Sequence, residues 1–232
     1  MGKGAPIRWL ENQILRRHLR GRGIEIGALW RRFPVSVGTK VWYVDRQAGA
    51  ALGAHYAEVG AQLVSPDVVA DAADLPFAPG SLEFVIASHV LEHLPFPLAT
   101  LECWYRLLAP GGSLLLRVPD KRFTFDAKRQ RTTLAHLLRE HEQRGSFDKG
   151  AHFADYVEGV TDYARGTAQF SQEVRRLMDI DYSIHYHVWT TEDLRELLRH
   201  TQTAMKLAWA PVVFWGAHFY RKEIITLLQR SG

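Results

Sequence analysis

The chain reads as an α/β protein: a parallel sheet with helices on both faces. Three observations predict this. Short apolar runs alternate with stretches of helical period, the rhythm of βαβ units. The runs near Gly23–Ile26, Lys40–Val44, Val68–Ala70, Leu82–Ser88 and Ser113–Val118 are almost wholly apolar, as strands covered on both faces must be. Finally, 232 residues with 47% hydrophobic and 23% charged side chains suffice for a full core, which excludes disordered, collagen-like and coiled-coil classes.

Taken in order, residues from about Ile7 to Arg20 form a basic amphipathic helix, with Ile7, Leu10, Ile14 and Leu15 on one face and Arg16, Arg17 and Arg20 beside it. Helical stretches fit between the strands near Gln47–Val59 and Leu98–Leu108, and Pro110-Gly111-Gly112 supplies a turn into the fifth strand. After Asp120 the rhythm breaks. The next stretch is rich in charge, His and aromatic side chains, with helical patches at Thr133–Gln143, Asp155–Thr167 and Gln172–Met178 and no strand. Thr190-Thr191-Glu192-Asp193 marks a helix start ahead of Leu194–His200. Two apolar runs follow, Ala204–Ala210 and Ala217–Leu227, the second read as a strand with a helical end.

Composition narrows the function classes. The charge balance is 29 − 25 = +4, too small to point to nucleic acid. A single cysteine, Cys103, makes neither an internal disulfide nor a cysteine-based zinc site alone, which fits a reducing compartment. The first twenty residues carry charges among their apolar positions, unlike a signal peptide, and no run approaches the roughly eighteen apolar residues of a membrane span. A cytoplasmic protein without a membrane span is expected.

The residues that carry chemistry fall at strand ends. The first strand ends Glu25-Ile26-Gly27-Ala28, a glycine where an open parallel sheet brings backbone to a ligand. Asp45 closes the second strand, 45 − 25 = 20 residues after Glu25, where an acidic residue is placed for ribose hydroxyls. The third strand runs into Asp71-Ala72-Ala73-Asp74, the fourth into Ser88-His89-Val90-Leu91-Glu92-His93, and the fifth opens with Leu108-Ala109-Pro110-Gly111-Gly112.

These five ordered segments (IEIGA, VWYVD, DAADLPF, FVIASHVLEHL and LAPGGSLLLRVPD) resemble the class I S-adenosylmethionine-dependent methyltransferases of the type-11 group, over about residues 20 to 120 and more weakly at 190 to 228. The resemblance implies a Rossmann-like sheet with a helical insertion after strand five. The cofactor it implies is S-adenosylmethionine: Glu25, Gly27 and Ala28 at the methionine moiety, Asp45 at the ribose, Asp71 and Ala72 at the adenine, Ser88 and His89 beside the sulfonium. One departure matters. The family's glycine-rich loop keeps one glycine here, so Ala28 and Leu29 demand another loop path. The chain is then read as one domain, 1–232: an N-terminal helix (1–20), a cofactor-binding core (21–120), a helical substrate-binding insertion (121–189) and a return to the sheet (190–232).

A sulfonium is already an activated methyl donor, so the protein must align the acceptor and take its proton. A hydroxyl acceptor needs a base or a metal. Asp120, closing strand five, and His152 are the candidate bases, with the pair His185 and His187 beside them in the insertion, and Asp120, His152 and His187 the candidate ligands of a divalent cation. The tract Val118–Asp126 and the later His185-Tyr186-His187-Val188-Trp189 look like methyltransferases of polysaccharide assembly, some of which use Mg²⁺; this implies a sugar or oligosaccharide hydroxyl as acceptor. A small-molecule amine and a non-catalytic partner subunit stand as alternatives, and a homodimer is left open. Nucleic acid is disfavoured: no Asn/Asp-Pro-Pro-Tyr/Phe tetrapeptide is present, and Cys103 lies in a helix.

Overall fold

The apolar runs pair side by side in a computed structural model, which describes residues 5–55 and 62–232. They form β1 (Arg22–Ile26), β2 (Lys40–Asp45), β3 (Val68–Val69), β4 (Leu82–Ser88) and β5 (Leu108–Pro119), all parallel, joined by β6 (Trp209–Trp215) and β7 (Glu223–Arg230). The seven-stranded sheet has the order β3-β2-β1-β4-β5-β7-β6, with β7 antiparallel to both β5 and β6. Strand order reverses between β1 and β4, and such a switch point opens a crevice at the carboxyl ends of the strands.

Helices cover both faces. On one, Leu15 and Leu19, in and just after α1 (Ala5–Arg16), pack on Phe84, Ile86 and Leu115. On the other, α3 (Pro97–Leu107) and α7 (Thr191–Thr203) bury Leu98, Leu101, Trp104, Leu194 and Leu197 against Ile24, Val85 and Leu114. The side chains of Ile7 and Leu10 and the end of the expected Gln47–Val59 helix lie outside the described residues; α2 covers Gly49–His55. The start of α7 is set by a reciprocal cap, Thr190 accepting from the Asp193 N–H while Asp193 accepts from the Thr190 N–H, an arrangement that typically contributes about 1 kcal/mol.

The insertion is helical, as expected, with α4 (Leu134–Glu142), α5 (Lys149–Val160) and α6 (Ala168–Asp179). It has its own small core of Phe153, Val157, Phe170, Leu177 and Ile184. The expected helix at Asp155–Thr167 begins earlier because Asp148 accepts from the Ala151 N–H at 2.9 Å and caps α5 there. Two further expectations are corrected. Pro110-Gly111-Gly112 is a bulge inside β5: pairing with β4 jumps from Leu82–Leu108 to Phe84–Ser113, and Gly111 takes φ +77°. Ala217–Leu227 has no helical end, since β7 pairs with β5 from Glu223 through Gln229.

Candidate active site

At the switch point a cavity of about 340 Å³ opens, within the size range of small-molecule sites. Five of the residues expected to bind a cofactor line it: Gly27, Asp45, Asp71, Ala72 and His89. Gly27 sits at φ +63°, a conformation glycine adopts without cost, and its N–H donates to the Val44 carbonyl at 2.9 Å. Leu29 adopts φ +49° and itself lines the cavity. Asp71 accepts from the Ala73 N–H at 2.8 Å, and the Trp104 indole donates to the Ala72 carbonyl at 2.8 Å, which fix the third wall.

Three residues named with them lie elsewhere. Glu25, Ala28 and Ser88 do not line the cavity. The Glu25 carboxylate, buried in the strand, instead accepts the Phe33 N–H at 2.9 and 3.0 Å and so closes the loop after β1. Burial pushes its pKa up to about 7, against the pull of the Phe33 N–H and Arg117. Glu25 is thus a positioning residue, acting through the loop that carries Gly27 and Leu29.

The insertion roofs the cavity with Tyr182, Ser183 and Tyr186. Asp181, just before them, is tied to Arg46 at 3.0 Å and to Lys149 at 2.6 Å, so the roof is pinned to the end of β2.

Beneath His89 lies a set of ionisable groups. His89 is held at φ +56°, with Glu92 Oε1 3.4 Å and Glu223 Oε1 3.3 Å from its two ring nitrogens. Burial works against its charge, but Glu223 and Glu92 outweigh it and raise the pKa to about 10. His89 is therefore an imidazolium at neutral pH, held between the Glu92 and Glu223 carboxylates. Apart from the 3.4 Å contact with His89, the buried Glu92 carboxylate has no hydrogen-bond partner among the described residues. Burial alone would raise its pKa, yet His89, His93 and His185 hold it below the ordinary value.

His93 also lines the cavity, and burial depresses its pKa to about 4. Its Nδ1 stands 2.9 Å from the Ile184 carbonyl; a carbonyl only accepts, so Nδ1 carries the proton and Nε2 is left as an acceptor. His185 packs edge-on to His93, ring centres 4.7 Å apart. Its Nδ1 meets Asp126 Oδ2 at 2.7 Å. Ligand atoms of Glu92, His93 and His185 all lie within 4.8 Å of one another.

The residues expected to do acid–base or metal chemistry are redistributed. Asp120 is corrected from base and metal ligand to structural clamp. It is fully buried, accepts from the Arg122 guanidinium at 2.9 and 2.7 Å and from the Thr191 N–H and hydroxyl at 2.9 and 3.0 Å. These bonds hold its pKa down despite burial and tie the end of β5 to the start of α7. Asp120 lies in neither cluster of potential ligands among the described residues. His152 and His187 are brought together, but with His136, around Glu140. Mg²⁺ favours oxygen donors in an octahedron, and neither imidazole-rich set fits it.

Glu92, His93 and Asp126 stand in the sequence motifs without a role, and His185 only as one of the candidate histidines of the insertion. The signal for the first two is that Glu92-His93 follows the strand that ends at the switch point; nothing local marks the pairing of Asp126 with His185, 59 residues on.

A family model described as a methyltransferase domain matches residues 21–205. Uncharacterized protein MJ1123 of Methanocaldococcus jannaschii is 26% identical over 151 residues, 65% of this chain and 66% of that one, just under two thirds of the relative's length. The solved structure of the PH0226 protein from Pyrococcus horikoshii OT3 superposes with a TM-score of 0.53 at 16% identity, covering 98% of this chain and 90% of that one. A Rhodobacter sphaeroides protein named for the Zn-dependent alcohol dehydrogenases reaches 0.55 at 16% identity, covering 96% and 90%. At such identities the two structures show a shared fold and nothing of chemistry.

Proposed function

The chain belongs to the methyltransferase-domain family; on that premise we propose that it is an S-adenosylmethionine-dependent enzyme that methylates a hydroxyl, of a sugar or oligosaccharide, with His93 as the base. The cofactor lies in the cavity at the switch point: Asp45 takes the ribose hydroxyls, Asp71 and Ala72 flank the adenine, and His89, its charge offset by Glu92 and Glu223 behind it, stands beside the sulfonium.

The observation that carries the hydroxyl reading is the neutral imidazole of His93 on the cavity wall, backed by the buried Glu92 carboxylate and the Asp126–His185 pair. A neutral amine attacks with its own lone pair, whereas a hydroxyl must lose a proton. As the acceptor oxygen bonds to the methyl carbon, the sulfur–methyl bond breaks and S-adenosylhomocysteine leaves. As that bond forms, the hydroxyl proton grows acidic enough, within the transition state itself, for a base with a pKa of about 4. His93 Nε2 takes it, and the neighbouring Glu92 stabilises the imidazolium. Such a base typically contributes about 10²–10⁴ in rate. Tyr182 and Tyr186 roof the site with aromatic faces of the kind that stack on sugar rings.

The test is S-adenosylhomocysteine release over a panel of mono- and oligosaccharides and a panel of amines, with and without EDTA. Turnover on a sugar that survives EDTA supports this reading. Turnover confined to amines ends the hydroxyl assignment, and cofactor binding with no turnover on either panel favours a partner subunit.

A further inference from the structure

We propose that His136, His152 and His187, with Glu140, form a site for a divalent transition-metal ion of the zinc type, distinct from the methyl-transfer cavity. The proposal does not depend on which acceptor is methylated.

The three histidines come from three separate segments: α4, α5, and the stretch that pairs beside β5. Each offers a ligand nitrogen within 4.8 Å of the others. Their ring centres are 5.7, 5.9 and 5.4 Å apart. Three imidazoles around a tetrahedral ion at bond lengths of about 2.1 Å place ring centres roughly 5 Å apart, so a contraction of under about 1 Å completes the geometry. Glu140, one helical turn after His136, supplies the fourth donor. Its Oε1 is 3.0 Å from His136 Nε2 and 2.6 Å from His152 Nε2, and its Oε2 is 3.7 Å from His187 Nε2.

Two details favour a metal over a purely hydrogen-bonded network. Among the described residues, Glu140 Oε2 and His187 Nδ1 are buried with no hydrogen-bond partner, a costly state for a structure that gains nothing from it; His187 Nε2 donates to the Pro95 carbonyl at 3.1 Å, so its lone pair is on Nδ1. The second is the orientation of His152. Its Nδ1 donates to the Tyr186 carbonyl at 3.1 Å, which aims Nε2 at Glu140 Oε1, 2.6 Å away, where a metal ion would replace the proton between them. An imidazole oriented by a backbone carbonyl behind it is the usual arrangement of a metal-bound histidine.

Imidazole and a carboxylate suit Zn²⁺ and related ions, not Mg²⁺ or Ca²⁺. The ion has an entry path, since a second cavity of about 380 Å³ is lined by His136, Glu140 and His152, and the His136 side chain is 37% exposed. Tyr186 lines both cavities. Metal occupancy would therefore stiffen one wall of the methyl-transfer site by cross-linking three segments of the insertion.

The test is titration of the chelator-stripped full chain with Zn²⁺, followed by Co²⁺ as a spectroscopic probe. One equivalent is expected, with the intense visible bands of tetrahedral Co²⁺. His136→Gln should weaken Zn²⁺ binding by at least ~100-fold, while His93→Gln leaves it intact. Because His187→Ala removes a fully buried ring, the exposed-edge variant His136→Gln carries the argument if the former does not fold. Absence of stoichiometric binding, binding indifferent to His136→Gln, or binding lost with His93→Gln would each overturn the proposal.

Discussion

His185 Nδ1 lies 2.7 Å from Oδ2 of Asp126, a carboxylate with no exposure, and the pair stands directly behind the imidazole of His93. Asp126 is held in turn by Arg129 at 2.8 Å and by the Thr124 hydroxyl at 3.2 Å. The carboxylate accepts the Nδ1 proton and thereby fixes the tautomer and orientation of His185.

His93→Gln should lower kcat by about 10²–10⁴ while changing the S-adenosylmethionine dissociation constant little. Asp126→Asn should lower kcat less, since it acts through His185, and it should move the pH profile of kcat. Steady-state S-adenosylhomocysteine release, with calorimetry for the cofactor, separates these effects. Unchanged turnover in His93→Gln would remove the base assignment.

Asp120→Asn should cost stability. Its oxygens satisfy Arg122 and both polar groups of Thr191, and leaving buried partners unsatisfied costs roughly 2 kcal/mol. In a chain of this length that lowers Tm by about 4–8 °C. Below the transition the variant should still turn over. A catalytically dead variant with wild-type Tm would restore Asp120 to the chemistry.

Glu25 makes stability depend on pH in an unusual direction. Its folded pKa is raised from the ordinary 4.5 to about 7, so the fold favours the protonated form. The contribution is complete below about pH 4.5 and is lost as pH rises to about 7, a total of about 3 kcal/mol. Glu25→Gln should therefore gain stability relative to the wild type between pH 5 and 7.5. Denaturant titrations at the two pH values measure the gap, and a constant difference would refute the burial argument.

The sheet was legible because buried parallel strands leave apolar runs, and the cavity wall was legible because Gly27, Asp45, Asp71 and His89 follow strand ends in a fixed order. What local pattern did not carry was side-chain direction. Glu25 and Ser88 are in the expected strands yet do not line the cavity. Asp120 looked like a base by position at a strand's end, and only the fold reveals that Thr191, 71 residues later, occupies its oxygens. The His136–His152–His187 set is likewise a product of tertiary contact between three segments.

The central claim is that the switch-point cavity binds S-adenosylmethionine through Asp45. Isothermal calorimetry with S-adenosylhomocysteine on the wild type and on Asp45→Ala tests it most directly. The account predicts one site per chain, weakened by at least ~10-fold in the variant, as loss of a charge-assisted hydrogen bond of roughly 1.5–3 kcal/mol requires. Equal affinity in the two proteins, or no binding to the wild type, would contradict it.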